Sequence, residues 1–334
     1  MATFVLRRLL SLIPVLVGIS LIVFLFLHLI PGDPARAMLG ETASEDVVLQ
    51  TRASLGLDQP LYLQYAHYVG RLLHGDLGQS LRTRNPVSAE LASRLPASIE
   101  LMLAAMAIAL AVGLSLGITS AVRRGSWLDT AAVVLGLVGA ALPVYVLGLL
   151  AAWVFAVQLG WLPPGGRLGT DTHLQSVTGF LVLDGILTRN WPALADALKH
   201  LAIPATVLGL GPAALLARTT RASLVEALGQ DFVRTARGKG LPDRMVVGRH
   251  ALRNALLPML TVFGLQVGIV LGSAVLTETI FSWPGIGRWI FDAIQTRDYP
   301  VVQSMTLVIG VVFVLSNLVV DLTYGWLDPR IRYG

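Results

Sequence analysis

The chain has 334 residues, of which 54% are hydrophobic and only 13% charged, with a formal net charge of +5. A soluble domain of ordinary composition carries about 25% charged residues. A chain this apolar could not cover its own surface in water, so the bilayer is its natural solvent. Cysteine is absent, which excludes disulfides, thiol chemistry and cysteine-based zinc sites. The basic balance does not point to nucleic acid, because the apolar spans leave no folded basic domain to hold it.

Between charged residues run six apolar stretches, 9–32, 101–122, 130–166, 200–217, 254–277 and 299–320. A helix crosses the hydrocarbon core in roughly 20 residues, so the expectation is an all-α membrane protein of six transmembrane helices. The first stretch exceeds the ~7–15 residues of a signal-peptide core, and no small-x-small cleavage site follows. It turns instead at Pro31-Gly-Asp-Pro34 and is expected to be retained. The third is lengthened by an uncharged loop after Leu159, and Pro14, Pro143 and Pro212 are candidate kinks. The segment Thr172–Leu183 is too short to span and is expected at the interface or re-entering partway. The resulting division is an N-terminal helix 1–32, an outer segment 33–98, a five-helix transmembrane domain 99–325 and a tail 326–334.

Lysine and arginine set orientation by favouring cytoplasmic loops. With the N-terminus inside, the short inner segments hold Arg7, Arg8, Arg123, Arg124, the cluster between 218 and 257, Arg330 and Arg332. Acids such as Asp33, Glu41, Asp58, Asp76 and Glu90 fall on the other side. Both termini are therefore expected in the cytoplasm of a bacterial inner membrane.

Catalytic signatures are missing. There is no phosphate loop, since Gly238-Lys-Gly240 lacks the upstream glycine and the following hydroxyl, and no H-E-x-x-H or G-x-S-x-G. The six histidines do not pair at metal-ligand spacing, so no metal site is expected. Charges inside membranes mark ion or proton pathways, but Glu100, Glu278 and Asp321 sit at span ends, where water or headgroups can reach them. A stand-alone secondary carrier, which needs internal carboxylates and broken helices, is the weaker reading. Energy then enters from outside the chain, and the inner loop is the obvious point.

That loop has helix formers over 222–237, interrupted by Gly229. Asp231 is expected to cap a second short helix presenting Phe232. Gly238 and Gly240 permit its terminal turn, and Pro242 prevents continuation. Taken alone, the arginines suit anionic headgroups, whereas glycines and small residues at fixed spacing suit close approach by another protein. In the fifth span Gly264, Gly268 and Gly272 recur at i, i+4 and i+8 with Gln266 nearby. Such spacing lets helix backbones approach closely, either for packing within the chain or along a pathway. Trp283-Pro-Gly-Ile-Gly287 is expected at the outer interface, the depth tryptophan favours.

Thr235-Ala-Arg-Gly-Lys-Gly240, followed by Arg249-His-Ala-Leu-Arg-Asn-Ala-Leu-Leu-Pro258, resembles the ATPase-docking loop of permeases in binding-protein-dependent ABC importers. Arg234-Thr235-Ala236 stands where the general family pattern has Glu-Ala-Ala, as is usual in the dipeptide/oligopeptide branch, and Gly238 replaces the branch's more common alanine. Similarity extends along the chain through Leu55-Gly-Leu-Asp-Gln-Pro-Leu-Tyr62, Gly75-Asp-Leu-Gly-Gln-Ser80, Glu278-Thr-Ile-Phe-Ser-Trp-Pro-Gly-Ile-Gly287 and Asp328-Pro-Arg-Ile-Arg-Tyr333. The resemblance implies a type I ABC importer permease fold and a translocation subunit that is not itself an enzyme. Its cargo would be dipeptides or short oligopeptides, or in the same family glutathione, nickel or another small solute. It assigns Asp231, Phe232, Arg234, Thr235, Ala236, Arg237, Gly238, Lys239, Gly240 and Leu241 to a coupling helix seated on an ATPase, with Phe232 and Leu241 packed into the ATPase groove. The implied partners are a second permease, two cytoplasmic ABC ATPases and a periplasmic or lipid-anchored binding protein. ATP and magnesium would be held by the ATPases, with no cofactor on this chain.

Overall fold

The computed structural model describes residues 2–29, 36, 44–54 and 56–327, and these contain helices but no β-strand. The motifs Pro31-Gly-Asp-Pro34 and Asp328–Tyr333 lie outside the described residues. In chain order the helices are α1 (Ala2–Leu29), α2 (Glu45–Ser54), α3 (Leu61–Leu73), α4 (Val87–Val122), α5 (Trp127–Ala141) and α6 (Val144–Ala152), the last running on through a wider turn over Trp153–Gln158. There follow α7 (Leu181–Leu187), α8 (Trp191–Leu228), α9 (Asp231–Gly238), α10 (Leu252–Ile280), α11 (Ile286–Gln295) and α12 (Tyr299–Leu327).

Among the described residues four helices are long and apolar enough to cross a membrane, over Val87–Val122, Trp191–Leu228, Pro258–Ile280 and Tyr299–Val319. The pair α5 and α6 supplies a fifth if it is one span, and α1 carries the apolar stretch Leu10–Leu25. The expected continuous span 130–166 is interrupted. Leu142 is extended at φ −83° and ψ 131°, and Pro143, at ψ 139°, is the cap residue before α6, the two helices meeting at a bend of more than 40°. Proline lacks an N–H and its ring pushes the preceding residue out of the helical region.

The residues form two compact units, one from Met1–Leu95 with Trp289–Val314, the other from Pro96–Arg288 with the segment after Val314. In the first, the Ser20 and Tyr65 hydroxyls lie 2.8 Å apart and Phe24 meets the Tyr65 ring edge-on at 5.4 Å, joining α1 to α3. The Ser80 hydroxyl and the Leu81 N–H donate to the Asp298 carboxylate at 2.5 and 3.0 Å, which ties the segment before α4 to the start of α12. Arg94 lies over the Trp289 ring at 5.2 Å.

In the second unit α4 and α8 approach closely because glycines remove side chains between them. A Cβ on Gly113 would stand 2.7 Å from Leu216 Cβ, one on Gly117 2.5 Å from Thr220 Cβ, and one on Gly209 2.6 Å from the Ala105 carbonyl. Without a hydrophobic driving force between helices in lipid, such close backbone packing supplies the attraction. These glycines, rather than those of the fifth span, make the tight helix pair.

Candidate docking site

The short helix α9 is built from both ends inward. Gly229 closes α8, and Gln230 is extended at φ −77° and ψ 155° and forms the N-cap, so Asp231 is the first helical residue and not the cap expected from sequence. Asp231 still suits the first turn, where a negative charge complements the helix dipole, and it accepts a 3.4 Å bond from Arg234. At the other end Gly240 adopts φ +75°, its N–H bonding to the Arg237 carbonyl at 2.9 Å and the Leu241 N–H to the Ala236 carbonyl at 3.4 Å. This paired pattern is a Schellman cap, which needs a left-handed residue after the last turn. A Cβ on Gly240 would meet nothing within 4 Å, so its glycine is required by backbone angle and not by space.

Val233 and Ala236 are the two positions of α9 that point inward. They are buried in one cluster with Ala121 of α4, Leu224 and Ala227 of α8, Val246 and Ala251 of the following turn, and Ala255 and Met259 of α10. Leu241 also packs against this cluster, so it braces its own chain and does not stand out as Phe232 does. The remaining surface, Asp231, Phe232, Arg234, Thr235, Arg237, Gly238, Lys239 and Gly240, is exposed. Arg237 is held at 3.1 Å by Asp243, and Lys239 has no partner among the described residues. A Cβ on Gly238 would meet open space. The helix is thus a rigid platform, fixed to the ends of three long helices and carrying one large apolar side chain, Phe232, at 39% exposure among cations.

Sequence reasoning missed the clamp behind this platform. Arg221 of α8 donates to both oxygens of Asp129 at 2.8 and 2.9 Å and to the Ser120 hydroxyl at 3.0 Å. Ser120 itself donates to Asp129, as does the Gly125 N–H at 3.0 Å. The ion pair joins α5 to α8, and the Ser120 hydroxyl ties α4 to both partners. Arg221 and Asp129 lie 92 residues apart, and no spacing rule links them.

In α10 Gly264 and Gly268 are buried, Gln266 is half-buried, and Gly272 is exposed with nothing within 4 Å of a Cβ. The glycine run is therefore divided. Its first two members pack within the chain, and Gly272 joins Leu265, Ile269 and Leu276 on an uncovered stripe.

At the opposite end of the unit, carboxylates assigned to solvent from sequence are buried and paired. Glu100 receives Arg167 at 2.6 Å and the Val182 N–H at 2.8 Å, and Arg167 also donates to the Gly179 carbonyl at 2.9 Å. Glu278 is fully buried, accepting from Ser98 at 2.5 Å and from the Arg288 N–H at 2.9 Å. A Cβ on Gly285 would strike both Glu278 and Ser98, which explains the first glycine of Trp-Pro-Gly-Ile-Gly. Trp283 is 1% exposed, donates to the Ala97 carbonyl at 2.9 Å and lies under Arg167. It is an internal anchor, packed inside the chain and not displayed on its surface. Asp184, the residue just after the short apolar segment Thr172–Leu183, is buried and accepts the Thr178 hydroxyl at 2.6 Å and the N–H groups of Val177, Thr178 and Gly179 at 2.8–3.2 Å. Burial opposes its charge, but these donors outweigh burial and hold its pKa below the ordinary carboxylate value.

Comparison with known proteins is consistent along the whole chain. Residues 113–333 match the family model described as binding-protein-dependent transport system inner membrane component, and residues 1–102 match the model of the N-terminal part of such membrane components. The chain is 47% identical over 333 residues to the dipeptide transport system permease protein DppB of Alkalihalophilus pseudofirmus, covering 100% of each. It is 48% identical over 334 residues to the di/tripeptide transport system permease protein DppB of Pseudomonas aeruginosa, covering 100% of this chain and 99% of the relative. The glutathione transport system permease protein GsiC of Salmonella choleraesuis is 41% identical over 333 residues, with 100% of each covered.

Proposed function

Because the chain belongs to the inner membrane components of binding-protein-dependent transport systems, we propose that this multi-pass inner-membrane protein forms half of the translocation pathway of an ATP-driven importer of dipeptides or short oligopeptides. The names and full-length coverage of the DppB relatives support that cargo. The GsiC relative supports a second reading, glutathione, which is itself a tripeptide derivative. The stretches 9–32, 101–122, 130–166, 200–217, 254–277 and 299–320 are the six spans of a type I ABC importer permease, with both termini cytoplasmic. The basic loops support that orientation.

The observation that carries the mechanism is the anchoring of α9 by Val233 and Ala236 against α4, α8 and α10, with Phe232 and the cationic surface left outward. Seated on an ATPase, such a helix transmits a rigid displacement to three spans at once. The site comprises Asp231, Phe232, Arg234, Thr235, Arg237, Gly238, Lys239 and Gly240 outward, with Ala236 and Leu241 bracing it. Two separate ATPases supply ATP hydrolysis with magnesium, a second permease completes the pathway, and a binding protein delivers cargo. The uncovered α10 stripe through Gly272, with Gln266 beside it, is the surface offered to the second permease or the pathway.

Uptake of labelled Ala-Ala in a deletion strain complemented with this chain tests the proposal. Restored uptake that disappears with Gly240→Leu, at unchanged membrane insertion, is expected. Uptake independent of the chain would refute the peptide cargo, and undiminished uptake by Gly240→Leu would refute the docking assignment.

A further inference from the structure

A groove lies between α5 and α8, with Leu116 and Ser120 of α4 also lining it. Ala132, Val133, Gly136 and Leu137 of α5 line it together with Ala214 and Ala217 of α8, leaving a volume of ≈ 240 Å³. Small residues keep its floor open along the helix axes, and Val134, Leu135 and Val138 continue the apolar surface outward.

Its mouth is cationic. Arg218 lines it, is exposed, and its side chain makes no hydrogen bond or ion pair among the described residues. Arg221 lines it as well but is committed to Asp129 and Ser120, so the only carboxylate of that clamp is already neutralised. The connector between α4 and α5 adds two exposed guanidinium groups, Arg123 and Arg124. Trp127 follows them at 76% exposure, and tryptophan at a helix start favours headgroup depth.

An apolar trough ending in uncompensated arginines, beside an interfacial tryptophan, matches one chemical class. We propose that this groove binds an anionic phospholipid, with an acyl chain along the α5–α8 wall and the phosphate on Arg218. A free anion would have no use for the apolar wall, and a neutral lipid would leave the arginine rim uncompensated. The inference rests on the membrane reading of these helices and not on the cargo.

The test is native mass spectrometry of the full chain, with the subunits that co-purify, titrated in detergent with phosphatidylglycerol or with phosphatidylcholine of the same acyl chains. Phosphatidylglycerol is expected to bind more tightly, and Arg218→Gln to weaken it about fivefold, the contribution of one arginine at an anionic lipid surface. Arg244→Gln, which removes an exposed arginine elsewhere, is expected to leave binding unchanged. Gly136→Leu fills the trough from a position where a Cβ meets nothing within 4 Å, and is expected to weaken both lipids without lowering the melting temperature. Equal affinity for the two lipids, equal losses in Arg218→Gln and Arg244→Gln, or displacement of phosphatidylglycerol by inorganic phosphate or by Ala-Ala would overturn the assignment.

Discussion

Arg221 of α8 grips Asp129 of α5 in a two-pronged ion pair, Nε to Oδ1 at 2.8 Å and Nη2 to Oδ2 at 2.9 Å. The pair joins helices that otherwise meet through small and aliphatic side chains, and it lies on the same helix, α8, that carries Leu224 into the cluster under α9. Removing one partner leaves a desolvated charge, whereas removing both does not. Arg221→Met and Asp129→Leu alone are therefore each expected to lower the melting temperature more than the two combined. A double-mutant cycle by thermal denaturation in detergent measures this.

The two glycines at the end of α9 should behave oppositely. Gly240 has φ +75° with free space around a Cβ, so Gly240→Ala is expected to cost about 1 kcal/mol of backbone strain. Gly238 is helical and equally unobstructed, so Gly238→Ala should be neutral or stabilising by roughly 0.5 kcal/mol. Chemical denaturation of the two variants distinguishes them.

Close packing of α4 on α8 predicts a steep size dependence. Gly117→Ala would press a methyl group against Thr220 and the Ala217 carbonyl, at a cost of about 2 kcal/mol for overpacking. Gly211→Ala, where nothing lies within 4 Å, should be tolerated. Thermal stability of the paired variants provides the comparison.

Asp184 predicts an acid-labile loop. Its pKa is lower folded than unfolded, so its stabilisation is complete above the unfolded value of ~3.9. It is lost as pH falls through the still lower folded value. Hydrogen exchange over residues 176–188 is expected to accelerate in that acid range, and Asp184→Asn should show fast exchange already at neutral pH.

Much of this was legible in the sequence because it depends on local composition. The long apolar helices and the terminal turn of α9 follow from hydropathy and from residues that favour or forbid a backbone angle. Gly240 was identified for the reason it is needed. What escaped depends on contacts between distant segments. Glu100 and Glu278 were read as reaching solvent because they end apolar runs, yet Arg167 and Ser98 meet them across folded loops. Trp283 carried a residue-type preference for interfaces that its burial overrides. The glycines of α10 attracted notice by their regular spacing, while Gly113, Gly117 and Gly209 fill the closer contact from two helices at once. Asp231 missed the cap by one residue because Gln230 took the extended conformation.

Seating of an ATPase on the outward surface of α9 is probed most directly at Phe232. The chain has 0 cysteines, so Phe232→Cys introduces a single reactive thiol. Coupled to a photoactivatable cross-linker in inverted membrane vesicles containing the whole transporter, this site is predicted to form an adduct with an ATPase subunit. The same probe at Tyr62, an exposed position on α3, should form none. Absence of the ATPase adduct from Phe232→Cys, in vesicles preloaded with Ala-Ala and the binding protein that still release Ala-Ala on addition of ATP to the outward-facing ATPase side, would contradict docking through α9.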